Sequence, residues 1–341
     1  MGDRPTLQDV ARAARVSTAT VSRVLNTPGQ VRVETRARVE AAIARLGYLP
    51  HFGGRALALN RTNTVGVVIP TMANAIFARG LQALQETLAE AEINLLIATS
   101  GYDVAREAEQ IRTLLSRSVD GIVLIGEARP RESYDLLNSH GTPFVILWTW
   151  RADSPYICVG FDNRAAARAM AEHVISAGHR RIAMISGLTE SNDRAQLRLE
   201  GVRDALHLHG LALDGAHLAE TPYGLDQGAE AAAHLLMLPQ RPTAILCGND
   251  VLAAGAIEGA RRAGFVVPAD VSIVGFDDVE LARVAQPPLT TVHVPHRRMG
   301  HEGARVLLEM ISDQGPGHSV ELETEIVDRA SLGRLPQPQS A

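Results

Sequence analysis

The chain contains no lysine: all 33 of its Lys+Arg side chains are arginine. A Schiff-base amine and a P-loop lysine are therefore excluded. Cysteine is nearly as scarce, and Cys158 and Cys247 each sit inside an apolar run, which favours buried free thiols over a disulfide or a metal centre. No apolar stretch reaches about 18 residues, and the run Met1-Gly2-Asp3-Arg4-Pro5 lacks the hydrophobic segment of a secretion signal. The expectation is a cytoplasmic protein without membrane contact. No G-x-G-x-x-G or Walker pattern stands at a strand-helix junction, no H-E-x-x-H occurs, and His207 and His209, two apart on a helix, cannot share a face. No cofactor, metal or catalytic constellation is expected, and so no enzyme. His293 and His296 could approach a cleft, although satisfied core or surface roles suit them better.

What the chain does have is an uneven charge. Residues 1–62 hold ten arginines and four acids, a net +6, while residues 63–341 carry −11, for −5 overall. A basic head on an acidic body suggests a modular nucleic-acid binder, which the average conceals. A hydrophobic fraction of 46% over 341 residues suits two or three buried domains.

In the head, Leu7, Val10, Ala11 and Ala14 form the stripe of an amphipathic helix with Thr6 as N-cap. After a break at Arg15-Val16, Ser17 caps a second helix whose Val21 and Leu25 face inward and whose Thr18, Ala19, Ser22 and Arg23 face out. A third helix, about Glu34 to Leu46, ends at Gly47. Three short helices with a tight turn make a helix-turn-helix, whose second helix can enter a major groove. Small polar groups and one arginine suit base reading. An ordinary three-helix bundle with a solvated face fits the same spacing.

The run Leu7-x-Asp9-Val10-Ala11-x-x-Ala14-x-Val16-Ser17-x-x-Thr20-Val21-Ser22-Arg23-x-Leu25-Asn26, with Thr35-Arg36 and Ala42-x-x-x-Leu46-Gly47-Tyr48-x-Pro50, resembles the head of the LacI/GalR transcription regulators. The resemblance implies that Thr18, Ala19 and Arg23 read operator bases, while Thr6, Ser17, Thr20, Ser22 and Asn26 contact or position the backbone. The family usually has Gly where this chain has Arg15, and a non-Gly residue at positive φ costs about 1 kcal/mol. Residues 48–62 are either a bland linker or, by resemblance, a hinge with a helix at about 53–59, which would bring Arg55 to DNA and insert Leu57 into the minor groove. Gly53 and Gly54 weaken such a helix.

From residue 63 the pattern becomes α/β. Buried strands are read at Val65–Ile69, Asn94–Ala98, Gly121–Ile125 and Phe144–Leu147, then at Arg181–Ser186, Ala244–Cys247 and Ser272–Phe276, with amphipathic helices between them. Two such series imply two Rossmann-like subdomains across a cleft. Ligands bind beyond the carboxyl ends of such strands. Asp, Asn, Arg and aromatic residues gather there, the chemistry of polyol recognition, although Asp162, Asn163 and Asp250 also suit helix capping.

The resemblance extends over nearly the whole chain through Gly178-His179-Arg180-Arg181-Ile182, Arg198-Leu199-x-Gly201, Asn249-Asp250 and Val274-Gly275-Phe276-Asp277-Asp278. It implies a periplasmic-binding-protein-like core, with the head at 1–47, the hinge at 48–62 and the core at 63–341. Within that core, subdomain 1 takes about 63–162 and 292–330, and subdomain 2 about 163–291. The strand at Thr291–Pro295 would return to subdomain 1 and a last strand, Glu323–Arg329, would complete it. Implied effector contacts are Asp162, Arg198, Asn249 and Asp277, with Asn74, Phe77 and Trp148 beside them. Thr71-x-x-Asn74-x-x-Phe77-Ala78 and Gly160-Phe161-Asp162-Asn163 are similar to the gluconate-sensing branch, so a sugar acid paired with Arg198 is the favoured effector. With no leucine-zipper heptads at the C-terminus, the resemblance implies a homodimer on a near-palindromic double-stranded operator. The expectation is a regulator, most simply a repressor, of a carbohydrate-utilisation operon controlled by a small carbohydrate. The rivals are a regulator answering to a purine or other non-sugar effector, and a sugar-binding protein with no regulatory role.

Overall fold

The computed structural model describes residues 5–49, 61–73 and 75–335, and the chain falls into two units, Met1–Asn63 and Thr64–Ala341. In the first, helices α1 (Leu7–Ala14), α2 (Thr18–Asn26) and α3 (Val33–Leu46) close over a small core. Val10, Val21, Val24, Val39 and Tyr48 are its larger buried members, beside Ala11, Ala14 and Ala42. Val24, rather than Leu25, provides the second deeply buried position of α2, and Leu25 is only half-buried. Gly47 ends α3 in the left-handed conformation at φ 61°. The hinge expected around 53–59, with Gly53, Gly54, Arg55 and Leu57, lies outside the described residues, as does Asn74.

The second unit alternates strand and helix. Its first sheet is built from β1 (Thr64–Ile69), β2 (Asn94–Thr99), β3 (Gly121–Ile125), β4 (Phe144–Leu147), β5 (Cys158–Gly160) and, much later in the chain, β11 (Val320–Glu321). The order is β11-β5-β4-β3-β1-β2, parallel throughout. The second sheet, also parallel, has β6 (Ile182–Gly187), β7 (Leu218–Thr221), β8 (Ala244–Cys247) and β9 (Ser272–Val274) in the order β7-β6-β8-β9. Central strands such as β3 and β8 are buried along their whole length, as helix-covered parallel strands must be. Cys158 and Cys247 are free and buried.

One sequence expectation needs correction. The segment Glu323–Arg329 does not complete the first sheet: its strand β12 (Glu325–Val327) pairs antiparallel with β10 (Thr291–His293) in a separate ribbon. The two-residue β11 takes the edge place instead, Val320 beside Val159 and Glu321 beside Gly160, with the Leu322 amide donating to the Gly160 carbonyl at 2.7 Å. A strand that short has no legible alternation. The expected strand at Thr291–Pro295 stops at His293, and Pro295 opens a helix, His296–Ile311, that packs along Ala75–Glu90 of the first subdomain.

Candidate functional site

The outward side of α2 is set by the caps of α1 and α2. Thr6 and Asp9 form a reciprocal capping box: the Asp9 amide donates to Thr6 Oγ1 at 3.3 Å and the Thr6 amide to Asp9 Oδ2 at 2.9 Å. Arg15 adopts φ 54°, so the turn keeps its left-handed geometry without glycine. Ser17 Oγ then accepts from the Thr20 amide at 3.1 Å and fixes the start of α2. Thr18, Ala19 and Arg23 are exposed, Thr20, Ser22 and Asn26 half-buried beside them, and Asn26 Nδ2 donates to Ser22 Oγ at 3.3 Å. The structure therefore gathers Thr18, Ala19 and Arg23 on one open face at the first two turns of a rigid helix. Arg55 and Leu57, the other two expected DNA contacts, fall outside the described residues.

The second site lies between the two sheets of the larger unit, at the carboxyl ends of their strands. Trp148, immediately after β4, takes φ 64° and is 1% exposed; its ring meets Phe77 edge-on at 5.1 Å and lies 5.9 Å from His296. Its carbonyl accepts from Asn163 Nδ2 at 2.9 Å, and Asn163 Oδ1 in turn accepts from Arg198 Nε at 2.9 Å. Arg198 also donates through Nη1 to the Gly248 carbonyl at 2.7 Å, and its guanidinium stacks 3.8 Å from the Phe276 ring centre. Its Nη2 stands 3.6 Å from Asp277 Oδ1.

Asp277 is fully buried at φ 107°. The loop that presents it is held by Asp250, whose carboxylate accepts from the Val279 amide at 2.8 Å and the Thr291 hydroxyl at 2.6 Å. Burial pushes the Asp277 carboxyl up to about 6, against the pull of Arg198 and Arg194. His296, 3% exposed, has its Nε2 at 3.9 Å from Asp277 Oδ1, and burial together with the Arg198 charge pushes its imidazole down to about 3, so the ring is neutral at physiological pH.

Seven buried polar atoms have no hydrogen-bond partner among the described residues: Trp148 Nε1, Thr149 Oγ1, Asn249 Nδ2, both Asp277 carboxylate oxygens and both His296 ring nitrogens. A buried polar atom left unpaired costs about 1–3 kcal/mol, so such a set around one cleft requires a reason. Together the seven atoms can donate, accept and present a carboxylate fork, which is what a ring bearing several hydroxyls needs.

Of the residues expected to touch an effector, Phe77, Trp148, Arg198, Asn249 and Asp277 occupy these strand ends. Asp162 instead caps the helix that starts at Asn163, accepting from the Ala165 amide at 2.9 Å. Asn249 does both: Oδ1 caps Leu252 at 2.8 Å while Nδ2 stays unpaired. His296, for which a satisfied role was favoured, is a member of the site. Asn163, which by sequence suits a helix cap, instead bridges the Trp148 carbonyl and Arg198 Nε.

The two walls also touch directly. Asp193 Oδ2 accepts from the Glu127 amide at 2.7 Å, Arg194 Nη1 donates to the Ile125 carbonyl at 3.1 Å, and Arg79 pairs with Glu280. Each contact joins an element of the first sheet's subdomain to one of the second.

Residues 6–51 match a family described as bacterial regulatory proteins, lacI family, and residues 171–332 match a periplasmic binding protein-like domain. The chain is 34% identical over 332 residues to the HTH-type transcriptional repressor CytR of Escherichia coli K12, covering 97% of each protein. Among solved structures, a LacI-family transcriptional regulator from Silicibacter pomeroyi aligns with a TM-score of 0.89 at 29% identity over 97% of this chain and 100% of that one. The lac repressor dimer bound to operator and the anti-inducer ONPF aligns with a TM-score of 0.85 at 27% identity, over 97% and 100%.

Proposed function

Because the chain belongs to the lacI family of DNA-binding transcriptional regulators, we propose that it represses its target genes as a dimer and that a neutral polyol held in the cleft controls its grip on DNA. The observation that carries the effector reading is the unpaired set around Asp277. A vicinal pair of hydroxyls donates to the two Asp277 oxygens. Trp148 Nε1 and Asn249 Nδ2 donate back to hydroxyl or ring oxygens, and neutral His296 serves either way.

The same geometry speaks against the sugar acid suggested by sequence. The Arg198 guanidinium is already engaged by Asn163, Gly248 and Asp277. A second carboxylate would also face that of Asp277 in a low-dielectric pocket, where like charges repel strongly. A neutral sugar meets neither obstacle.

The Asp193, Arg194 and Arg79 contacts hold the subdomains together, so a ligand between the walls biases closure. In a twofold dimer, closure alters the spacing of the two heads and thus operator affinity; such coupling is typically about 1–3 kcal/mol. On DNA, Thr18, Ala19 and Arg23 read bases, Thr6, Ser17, Thr20, Ser22 and Asn26 set the register, and Arg55 and Leu57 extend the contact into the hinge. Twofold symmetry makes the operator near-palindromic. The test is a thermal-shift screen of neutral sugars, sugar acids and purine bases on the full chain, followed by operator titration with each hit. Stabilisation by neutral sugars with a change in operator affinity is expected; binding of a sugar acid or free purine alone rejects the effector assignment.

A further inference from the structure

Glycine weakens the interior of a helix relative to alanine, so Gly80, inside the helix Ala75–Glu90, needs a reason. A β-carbon at that position would stand 2.5 Å from Trp148 Cη2 and 3.0 Å from Cζ2, with the His296 carbonyl next at 3.3 Å. The space of the absent side chain is thus taken by the outer edge of the indole. Gly300, on the helix His296–Ile311, serves a different end: a β-carbon there would run into the Gly80 carbonyl and the Leu84 amide, so that glycine lets the two helices approach. Phe77 and Gly80, three apart, share a helix face. The helix therefore presents a ring beside a notch, and the Trp148 indole meets both.

The indole has few ways to yield. Its backbone is held from both sides, the Trp148 amide donating to Met299 Sδ at 3.3 Å and the Trp148 carbonyl accepting from Asn163 Nδ2 at 2.9 Å. Carbon atoms rest about 3.5–4 Å apart, so an alanine at position 80 must push the ring edge away by about one ångström. Cζ2 is two bonds from Nε1, and the nitrogen travels with it. That nitrogen is one of the buried atoms without a partner among the described residues. Resting on the polyol reading of the chamber, we propose that Gly80 is its positioning residue: the missing side chain seats the indole against the helix and so fixes the depth of the chamber and the place of the Trp148 donor. Gly80 acts only through Trp148 and touches no ligand itself.

The chain has two tryptophans, so in a full-length Trp150→Phe parent the fluorescence reports Trp148 alone. Gly80→Ala in that parent is examined by emission spectrum, by acrylamide quenching and by isothermal titration with D-ribose, D-glucose and D-cellobiose. The expected variant is folded by circular dichroism, emits at longer wavelength and quenches more readily. Its affinity for any sugar that binds the parent is expected to fall about tenfold or more, the usual loss for one hydrogen bond. Unchanged emission shows that alanine does not displace the indole and overturns the proposal; so does shifted emission with unchanged affinity. If Gly80→Ala does not fold, Gly80→Ala/Trp148→Phe decides, because a phenyl lacks the outer edge of an indole. Recovery of a cooperative melting transition supports the notch, whereas continued failure places the obstacle in the helix backbone and rejects it. If none of the three sugars binds the parent, the polyol reading falls, and the emission alone upholds or rejects the seat of the indole.

Discussion

Arg198 Nη2 and Asp277 Oδ1 lie 3.6 Å apart in a pocket that exposes almost none of either side chain. The pair brings together the end of β9 and the helix Asp193–Leu208, and it leaves the outer lone pairs of the carboxylate available. Replacing Asp277 by Asn halves that acceptor capacity and leaves Arg198 without its counter-ion. Removing one member of a buried pair commonly costs about 2–5 kcal/mol in binding. Asp277→Asn is therefore expected to abolish the effector response while the head keeps its operator affinity without ligand, as read from paired gel-shift titrations.

Asp277 also sets a pH dependence. Its carboxyl is raised to about 6 in the folded protein, so between its ordinary range near 3.8 and that value the folded state holds a proton that the unfolded chain has released. By linkage, this group's contribution to stability declines as pH rises through that window. Polyol binding runs the other way, because hydroxyls donate to the ionised carboxylate. Affinity should climb as pH rises from 5 to 7 and level off above, whereas Asp277→Asn should flatten the profile. His296, down at about 3, stays neutral in the folded protein across this range and adds no slope to the affinity profile.

The contact between the walls can be broken from the glycine side. Gly126 takes φ 69°, and a β-carbon there would run into the Arg194 guanidinium and the Asp193 carboxylate. Gly126→Ala is expected to lower the melting temperature and to enlarge the radius of gyration of the core measured by small-angle scattering. An unchanged radius would show that Asp193 and Arg194 do not govern closure.

In the head, Arg15 occupies a left-handed position that costs a non-Gly residue about 1 kcal/mol. Arg15→Gly should raise the melting temperature of the head slightly or leave it level, since glycine's extra unfolded-state freedom offsets the gain. If Arg15 meets a phosphate, the same change lowers the slope of log affinity against log salt by about one. Arg23→Ala should instead relax base preference at one position of each half-site, measured with a randomised operator library.

The sequence carried most of this architecture because its signals are periodic. Strands buried on both faces and helices with one apolar stripe appear in the order of residues, as do the caps at Thr6, Ser17 and Asp162. What escaped was set by contacts distant in the chain. β11 is two residues long and is defined only by its partner, Cys158–Gly160. His296 looks like the first turn of an ordinary helix; only the return of the chain through Thr291–His293 brings it to Asp277. Asp162, by contrast, was legible as both cap and ligand, and the local hydrogen bond to Ala165 is the one the structure contains.

The late arrival of β11 and of the helix His296–Ile311 has a consequence for biosynthesis. The first sheet begins with residue 64, yet its outer strand and one of its covering helices are made only after every strand of the second sheet. A ribosome-bound chain stopped after β9 can finish the second sheet while the first, though started earlier, still shows an open edge at Cys158–Gly160. The strands of the second sheet are thus complete before those of the first, and truncations near residue 300 should leave the earlier-made sheet with an open edge for chaperones to cover.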